Sequence, residues 1–416
     1  MKLSRRDALR AGAVITAGTI VSPWSGSALA QAPARNLILV LGRGGWDTTY
    51  ALDPKPGSTT IDAPEGTLER FGDVTILGHP SRPSVSEFFR RYASSSAIVN
   101  GVQVRSFVHS DCIKRILTGT PSDANPDLGA IVAYELGRDL PVPYLVLGNS
   151  ALSGPLAAYT ARAGTTNQIA TLLTESSGTQ IDPALTGDPA FLPTSNEDAL
   201  VARYLNASTE RVRAVRGQRG ANARELEAFT QSLERGGLLR QFAEGGFAGR
   251  DYTPDISVQV DVAVRALERG LCRAVMMETG DFDTHQNNED QSERHEALFA
   301  GLLALNERLA TSGQLDRTLV VVLSEMGRTP KLNANRGKDH WPVTSTLVYG
   351  AGVRGGRVLG QTNDKLDAVS LDLATGAPNA QGKQLQTANL LGGILELVGI
   401  EPSAYLAGVE PFRAIA

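Results

Sequence analysis

Residues 36–42, NLILVLG, form an apolar run with no charged residue and no polar alternation. A strand with one wet face alternates apolar and polar side chains, so a run that is apolar throughout must be covered on both faces. Layered α/β folds meet that demand by packing helices on either side of a mostly parallel sheet. The rest of the chain repeats the theme. Strand-like runs occur at 96–102 (SAIVNGV), 143–148 (PYLVLG), 272–279 (CRAVMMET), 317–327 (RTLVVVLSEMG) and 345–350 (STLVYG). Helical stretches fall at 84–93, with Ser84 as a possible cap, and at 109–119, beginning near Ser110 and stopped at Gly119. Others fall at 127–137, 256–270, 293–313 and 389–400, and the fifth of these six carries Leu298, Leu302, Leu305 and Leu309 on one stripe. The pattern predicts an α/β domain, a doubly wound, mostly parallel sheet sandwiched by helices. The polar, charge-mixed stretch of about 195–250 reads as a helical insertion, with a solvated hairpin as the plain interpretation and a lid as the sharper one.

The first thirty residues stand apart. They have a basic start, a weakly apolar middle and a small-residue end at Ala28-Leu29-Ala30, the organisation of a signal peptide. Arg5-Arg6 within LSRRDAL fits a twin-arginine export address, so residues 1–30 are expected to meet the twin-arginine translocase. Residues 31–416 would then fold as the exported domain, periplasmic or extracellular. The apolar middle is too short and too interrupted for a stable membrane span. A net charge of -4 offers no basic field for nucleic acid. Cys112 and Cys272, the only two cysteines, lie in apolar or helical contexts and read as buried free thiols.

Ligand-type residues gather just beyond the strand-like runs. GRGGWD delivers Asp47, and GDFDTH delivers Asp281, Asp283 and His285. SEMGR delivers Glu325 and Arg328, and the next loop, KDHWP, delivers Asp339 and His340. In a parallel sheet the carboxyl ends of the strands share one edge, so these residues can converge. Clustered carboxylates repel one another, and a divalent cation would offset that repulsion. Oxygen and imidazole ligands suit Zn first, with Mn, Mg, Fe or Ca also compatible. One or two ions are expected. His295 reads as a surface or packing residue, and His79 as a loop residue.

The same motifs carry a resemblance. GDFDTHQNN, VVVLSEMGRTPKLNANRGKDHWP and YGAGVRGGRVLGQTND resemble the family called domain of unknown function 1501, itself similar to the alkaline phosphatase and sulfatase superfamily. The likeness is strong over roughly 275–370 and thin between 150 and 270. It implies an alkaline-phosphatase-like fold and a metal-dependent hydrolase of phosphate or sulfate esters, with a small molecule or a glycan bearing the ester. It implies metal ligation by Asp47, by Asp281 or Asp283 with His285, by Glu325 and by His340. Met326 stands where the superfamily has a ligating histidine, which points to a single-metal or asymmetric site. The superfamily nucleophile sits at a helix N-terminus, where backbone amides favour an oxyanion. FVHSDCIKRILTG matches that position, with Ser110 as first choice, Asp111 or Cys112 behind it, and His109 as an alternative ligand or general acid. DCIKR lacks the proline of a formylglycine sulfatase motif. Arg328 would either hold two oxygens of the ester or pair with a clustered carboxylate. A non-catalytic secreted binding or assembly protein that keeps the fold is the competing expectation.

Overall fold

The computed structural model describes residues 36–163, 195–215, 226, 229–230 and 256–416. The proposed export signal and most of the proposed insertion lie outside these residues.

The strands are β1 (Asn36–Gly42), β2 (Thr67–Phe71), β3 (Val74–Gly78), β4 (Ser96–Gln103), β5 (Tyr144–Val146), β6 (Thr160–Arg162), β7 (Ala274–Thr279), β8 (Thr318–Ser324), β9 (Gly327–Arg328), β10 (His340–Trp341), β11 (Val343–Gly350) and β12 (Arg357–Leu359). The helices are α1 (Pro83–Tyr92), α2 (His109–Thr118), α3 (Leu128–Gly137), α4 (Ser195–Val215), α5 (Ile256–Glu268), α6 (Gln291–Thr311) and α7 (Thr387–Leu397). Eight strands form one sheet in the order β12-β4-β11-β8-β1-β7-β5-β6. Strand β1 lies between β8 and β7, parallel to both, with Gly42 level with Ser324 and Thr279. Strand β11 runs antiparallel to both β8 and β4. This departs from a uniform reading of the strand runs. The connection from β8 to β11 carries the β9–β10 pair and no helix, so it makes no helical parallel crossover.

The fully apolar character of β1 now has its cause. Ile38 and Val40 enter one core with Phe88 and Phe89 of α1, Val260 and Val264 of α5, and Leu298, Leu302, Leu305 and Leu309 of α6. Leu37, Leu39 and Leu41 enter the opposite core with Ile116 of α2, Ile131 of α3, and Leu390 and Ile394 of α7. The period-two alternation of a strand sends successive residues to different helical layers. The leucine stripe of α6 is wholly buried as expected.

Local chemistry sets the helix starts. Asp127 caps α3 by accepting from the Ala130 amide at 2.8 Å. Ser84 does not cap α1, whose N-cap is Arg82; its hydroxyl instead donates to Glu296 of α6 at 2.7 Å. Helix α2 begins one residue earlier than the sequence suggests, at His109, and ends at Gly119 with φ of 73°. Two stretches without long apolar runs, 67–71 and 74–78, pair as a hairpin of their own. Cys112 and Cys272 are both buried and unbonded. Among the described residues, no helix is long and apolar enough to cross a membrane.

Candidate metal centre

Because β1, β7 and β8 run parallel and in register, their C-terminal ends deliver Gly42, Thr279 and Ser324 side by side. The chain leaving β1 is stitched to the chain leaving β7. Arg43 N–H donates to Thr279 O and Phe282 N–H donates to Arg43 O, each at 2.8 Å. Gly44 has φ of +105°, and a Cβ there would overlap the backbone of Phe282 and Asp283, so glycine permits this approach. The short pair β9–β10 places His340 opposite Arg328, which brings the Asp339–His340 loop over the same edge.

Three imidazoles converge on Asp283. His109 Nε2 lies 3.4 Å from Asp283 Oδ2, His285 Nε2 lies 3.2 Å from Oδ1, and His340 Nε2 lies 3.4 Å from Oδ1. Single ligand atoms of His109, Asp283 and His340 all fall within 4.8 Å of one another. In each ring the other nitrogen faces an acceptor. His109 Nδ1 meets Glu325 Oε1 at 3.0 Å, His285 Nδ1 meets Asp339 Oδ1 at 3.0 Å, and His340 Nδ1 meets Phe107 O at 2.6 Å. A carbonyl oxygen can only accept, and an ionised carboxylate likewise, so Nδ1 carries the proton in all three. In the neutral rings the three Nε2 atoms therefore present lone pairs toward one carboxylate.

That arrangement does not close on itself. His285 Nε2 and His340 Nε2 are 2.9 Å apart, so with both rings neutral two lone pairs face each other beside a negative oxygen. His109 Nε2 is buried without a hydrogen-bond partner. A cation here would relieve the repulsion; His109, Asp283 and His340 form a mutually close donor set that fits a divalent ion, with His285 beside it, touching Asp283 and His340. The acceptors behind the rings act as the outer partners that such ligands need.

Burial alone would raise the Asp283 carboxyl, but the hydrogen bond and charge of Arg328, followed by His109 and His285, hold it below the usual carboxylate range. Hydrogen bonding to Glu325 raises His109, against the effect of its partial burial. Hydrogen bonds from His285 and Asn333 lower Asp339.

Several expected site residues sit elsewhere or act otherwise. Asp47 is fully buried and turned away. Its Oδ2 accepts from Lys338 Nζ at 2.7 Å and Asn288 Nδ2 at 2.9 Å, while Oδ1 accepts from the Thr49 amide and hydroxyl. Those four bonds use the lone pairs that a metal would need. Glu325 reaches the cluster only through His109; its Oε1 also accepts from Gly44 N–H at 2.7 Å, and its Oε2 is buried without a partner. Arg328 is engaged by protein. Its Nη2 donates to Asp283 Oδ1 at 2.6 Å and to Gly44 O, while Nε and Nη1 donate to Gly45 O and Lys338 O. Of the two uses open to Arg328, pairing with a clustered carboxylate is the one the geometry has. Ser110 is exposed on the first turn of α2 and does not line the cavity beside the cluster, while Asp111 pairs with Arg115 and Cys112 is buried. Asp281 lines that cavity outside the convergent group.

The cavity has a volume of about 430 Å³. Its walls join His109, Asp283 and Glu325 to Arg43, Glu278 and Asp281. Glu278 was hidden from sequence reasoning inside the apolar run CRAVMMET; a lone glutamate in such a run is itself a signal, because it must find a partner or a solvent-filled space. His295 is buried and stacks between Trp46 and Tyr50, with ring centroids at 6.2 and 5.9 Å.

A mostly parallel α/β sheet carrying an imidazole–carboxylate cluster at the carboxyl edge of its central strands defines the class: an α/β protein with a candidate metal centre. The family described as a protein of unknown function (DUF1501) matches residues 34–410, and the chain belongs to it. No curated protein matches the chain. It is similar to the lipoteichoic acid synthase LtaP from Listeria monocytogenes, with 9% identity, a TM-score of 0.41, and coverage of 94% of this chain and 78% of that one. It is similar to a protein in the alkaline phosphatase superfamily from Vibrio parahaemolyticus, with 10% identity, a TM-score of 0.35, and coverage of 89% and 67%. The C-terminal periplasmic domain of EcEptC from Escherichia coli, in complex with Zn, is similar at 10% identity and a TM-score of 0.40, with coverage of 91% and 85%. Likenesses of this size assign neither activity nor ligand to this chain.

Proposed function

We propose that this protein is an exported, metal-dependent hydrolase of phosphate or sulfate esters carried on a small molecule or glycan. The observation that supports this most is the convergence of three imidazoles on the Asp283 carboxylate, with His109 and Asp283 in the wall of a cavity of about 430 Å³. In this reading His109, His285 and His340 hold the ion through Nε2, with Asp283 as the fourth ligand and Zn as the best match to that donor set. Such an ion, when bound, polarises the ester oxygen and acidifies the attacking group.

The chain's own residues supply the rest. Arg328 fixes Asp283, Glu325 fixes His109, and Asp339 fixes His285. Among the described residues of the cavity wall, Arg43 is exposed and placed to meet the ester's anionic oxygens. Among the described lining residues only Thr279 carries a hydroxyl, so the attacking group is Thr279 or a water, with Ser110 outside the cavity. A panel of phosphate and sulfate esters, assayed with each divalent metal, tests the reading. Turnover lost together with metal in His340→Ala supports it; metal lost with turnover unchanged overturns it.

The position of Ser110 and the wholly buried Met326 also favour a second reading, a secreted binding or assembly protein that keeps the metal for structure. That reading expects no turnover on any ester by the metal-loaded protein. Export through the twin-arginine pathway is proposed from residues 1–30 alone; replacing Arg5 and Arg6 by lysine should leave the protein in the cytoplasm.

A further inference from the structure

Glu278 belongs to none of the contacts described around Asp283, yet it lines the same cavity. It is only 3% exposed, on the penultimate residue of β7. Strand β5 ends at Val146, level with Met276, so the backbone of Glu278 has no strand beside it on that flank. The side-chain amide of Gln259, fully buried on α5, takes the place of that strand. It accepts from Glu278 N–H at 2.9 Å and donates to Glu278 O at 2.6 Å. The carboxylate is then laid against the Gly148–Ser150 turn. Oε1 accepts from Ser150 N–H, and a Cβ on Gly148 would overlap the carboxyl group. Oε2 has no hydrogen-bond partner among the described residues.

Oε2 is not sealed among the buried unpartnered atoms; it keeps contact with the cavity, where its lone pairs are open to a donor. The lining as a whole is acidic, with Glu278, Asp281, Asp283 and Glu325 against Arg43 and His109. A cation at the histidine cluster offsets Asp283 but leaves Glu278 and Asp281 facing the cavity. A second anionic group on a substrate would be repelled there, while an O–H or N–H donor would be attracted.

We propose that Glu278 is a specificity-determining residue that accepts a hydrogen bond from a hydroxyl or ammonium group on the organic part of the ester. The inference rests on the ester-hydrolase reading and adds to it the orientation of the substrate. The anionic ester oxygens lie at the His109–Asp283 end, and the donor group lies against Glu278, with Asp281 in the same wall.

The test is equilibrium binding, by calorimetry on the metal-loaded full-length protein, of three probes matched in length. Propyl phosphate has no donor, 3-hydroxypropyl phosphate has a hydroxyl, and 3-aminopropyl phosphate has an ammonium. The parent should bind at least one donor-bearing probe on the order of tenfold or more tighter than propyl phosphate. Which probe gains says which donor the site takes. In Glu278→Gln, which keeps an oxygen for Ser150 N–H, that ratio should fall to about one. Thermal unfolding of the variant confirms that it is folded, and Asp281→Asn serves as a second variant in which a partial loss of the ratio is expected. Equal binding of all three probes by the parent overturns this inference and leaves the ester reading standing. A preference that persists in Glu278→Gln overturns it too. Failure of all three to bind removes the ester reading, and the inference falls with it.

Discussion

Replacing Lys338 by methionine isolates the buried pair that joins the first strand to the His340 loop. Lys338 Nζ and Asp47 Oδ2 are 2.7 Å apart and both side chains are fully shielded from solvent. Burial by itself would raise the Asp47 carboxyl; the charge and hydrogen bond of Lys338, then Thr49 and Asn288, bring it below its ordinary value. The backbone of the same lysine is held on both sides, donating to Thr284 O and accepting from Arg328. Methionine fills the aliphatic space but strands a buried carboxylate, a loss of about 3–5 kcal/mol. Asp47→Asn strands the ammonium instead and should cost a similar amount. The double variant removes both charges and should recover roughly half of the summed loss or more, because the two changes are coupled through one contact. Urea unfolding followed by tryptophan fluorescence measures all four proteins, and Trp46 lies next to Asp47 in sequence. Strict additivity, or a Lys338→Met variant as stable as the parent, would refute the argument that this pair holds the loop.

The remaining expectations follow from the same geometry. Burial pushes His295 down to about 4, against about 6.5 in an unfolded chain. The unfolded chain then takes up a proton that the folded one refuses, so stability is full above pH 6.5 and falls by ~3 kcal/mol as pH drops to 4. His295→Phe, which keeps the stack on Trp46 and Tyr50, should flatten that slope; an unchanged slope would place the titration elsewhere. Asp339→Asn removes the carboxylate behind His285 and should weaken metal binding on the order of 10- to 100-fold, read by competition with a chelating dye. A Cβ on Gly337 would overlap the His285 carbonyl, so Gly337→Ala should displace the loop and lower metal affinity while leaving the sheet's circular dichroism intact.

The sheet was legible because burial on both faces writes itself into composition. Runs such as 36–42 and 318–324 need no long-range information to be recognised as covered strands. The direction of β11 was not legible from its own residues, since it depends on the connection from β8, which carries no crossover helix. The hairpin β2–β3 lacks a long apolar run, and only the Gly72-Asp73 step hints at its turn. Within the site, Asp283, His285 and His340 stand out because ligand residues follow strand-like runs. His109 was visible beside a helix start, but its alignment depends on Glu325, 216 residues away. The fate of Asp47 turned on Lys338, 291 residues distant and looking like an ordinary loop charge. Ser110 drew notice as a hydroxyl at a helix start, yet beginning α2 at His109 puts the imidazole toward the cluster and leaves the serine exposed.

The central claim is that His109, His285, His340 and Asp283 hold one divalent ion. Mass-spectrometric metal content of the protein, purified without chelator, measures it directly, with His109→Ala and His340→Ala alongside. The expected result is about one equivalent in the parent, because Lys338 closes Asp47 to a second ion, and little in either variant. A parent that binds no metal when offered Zn, Mn, Mg or Ca, or variants that keep a full equivalent, would contradict the account.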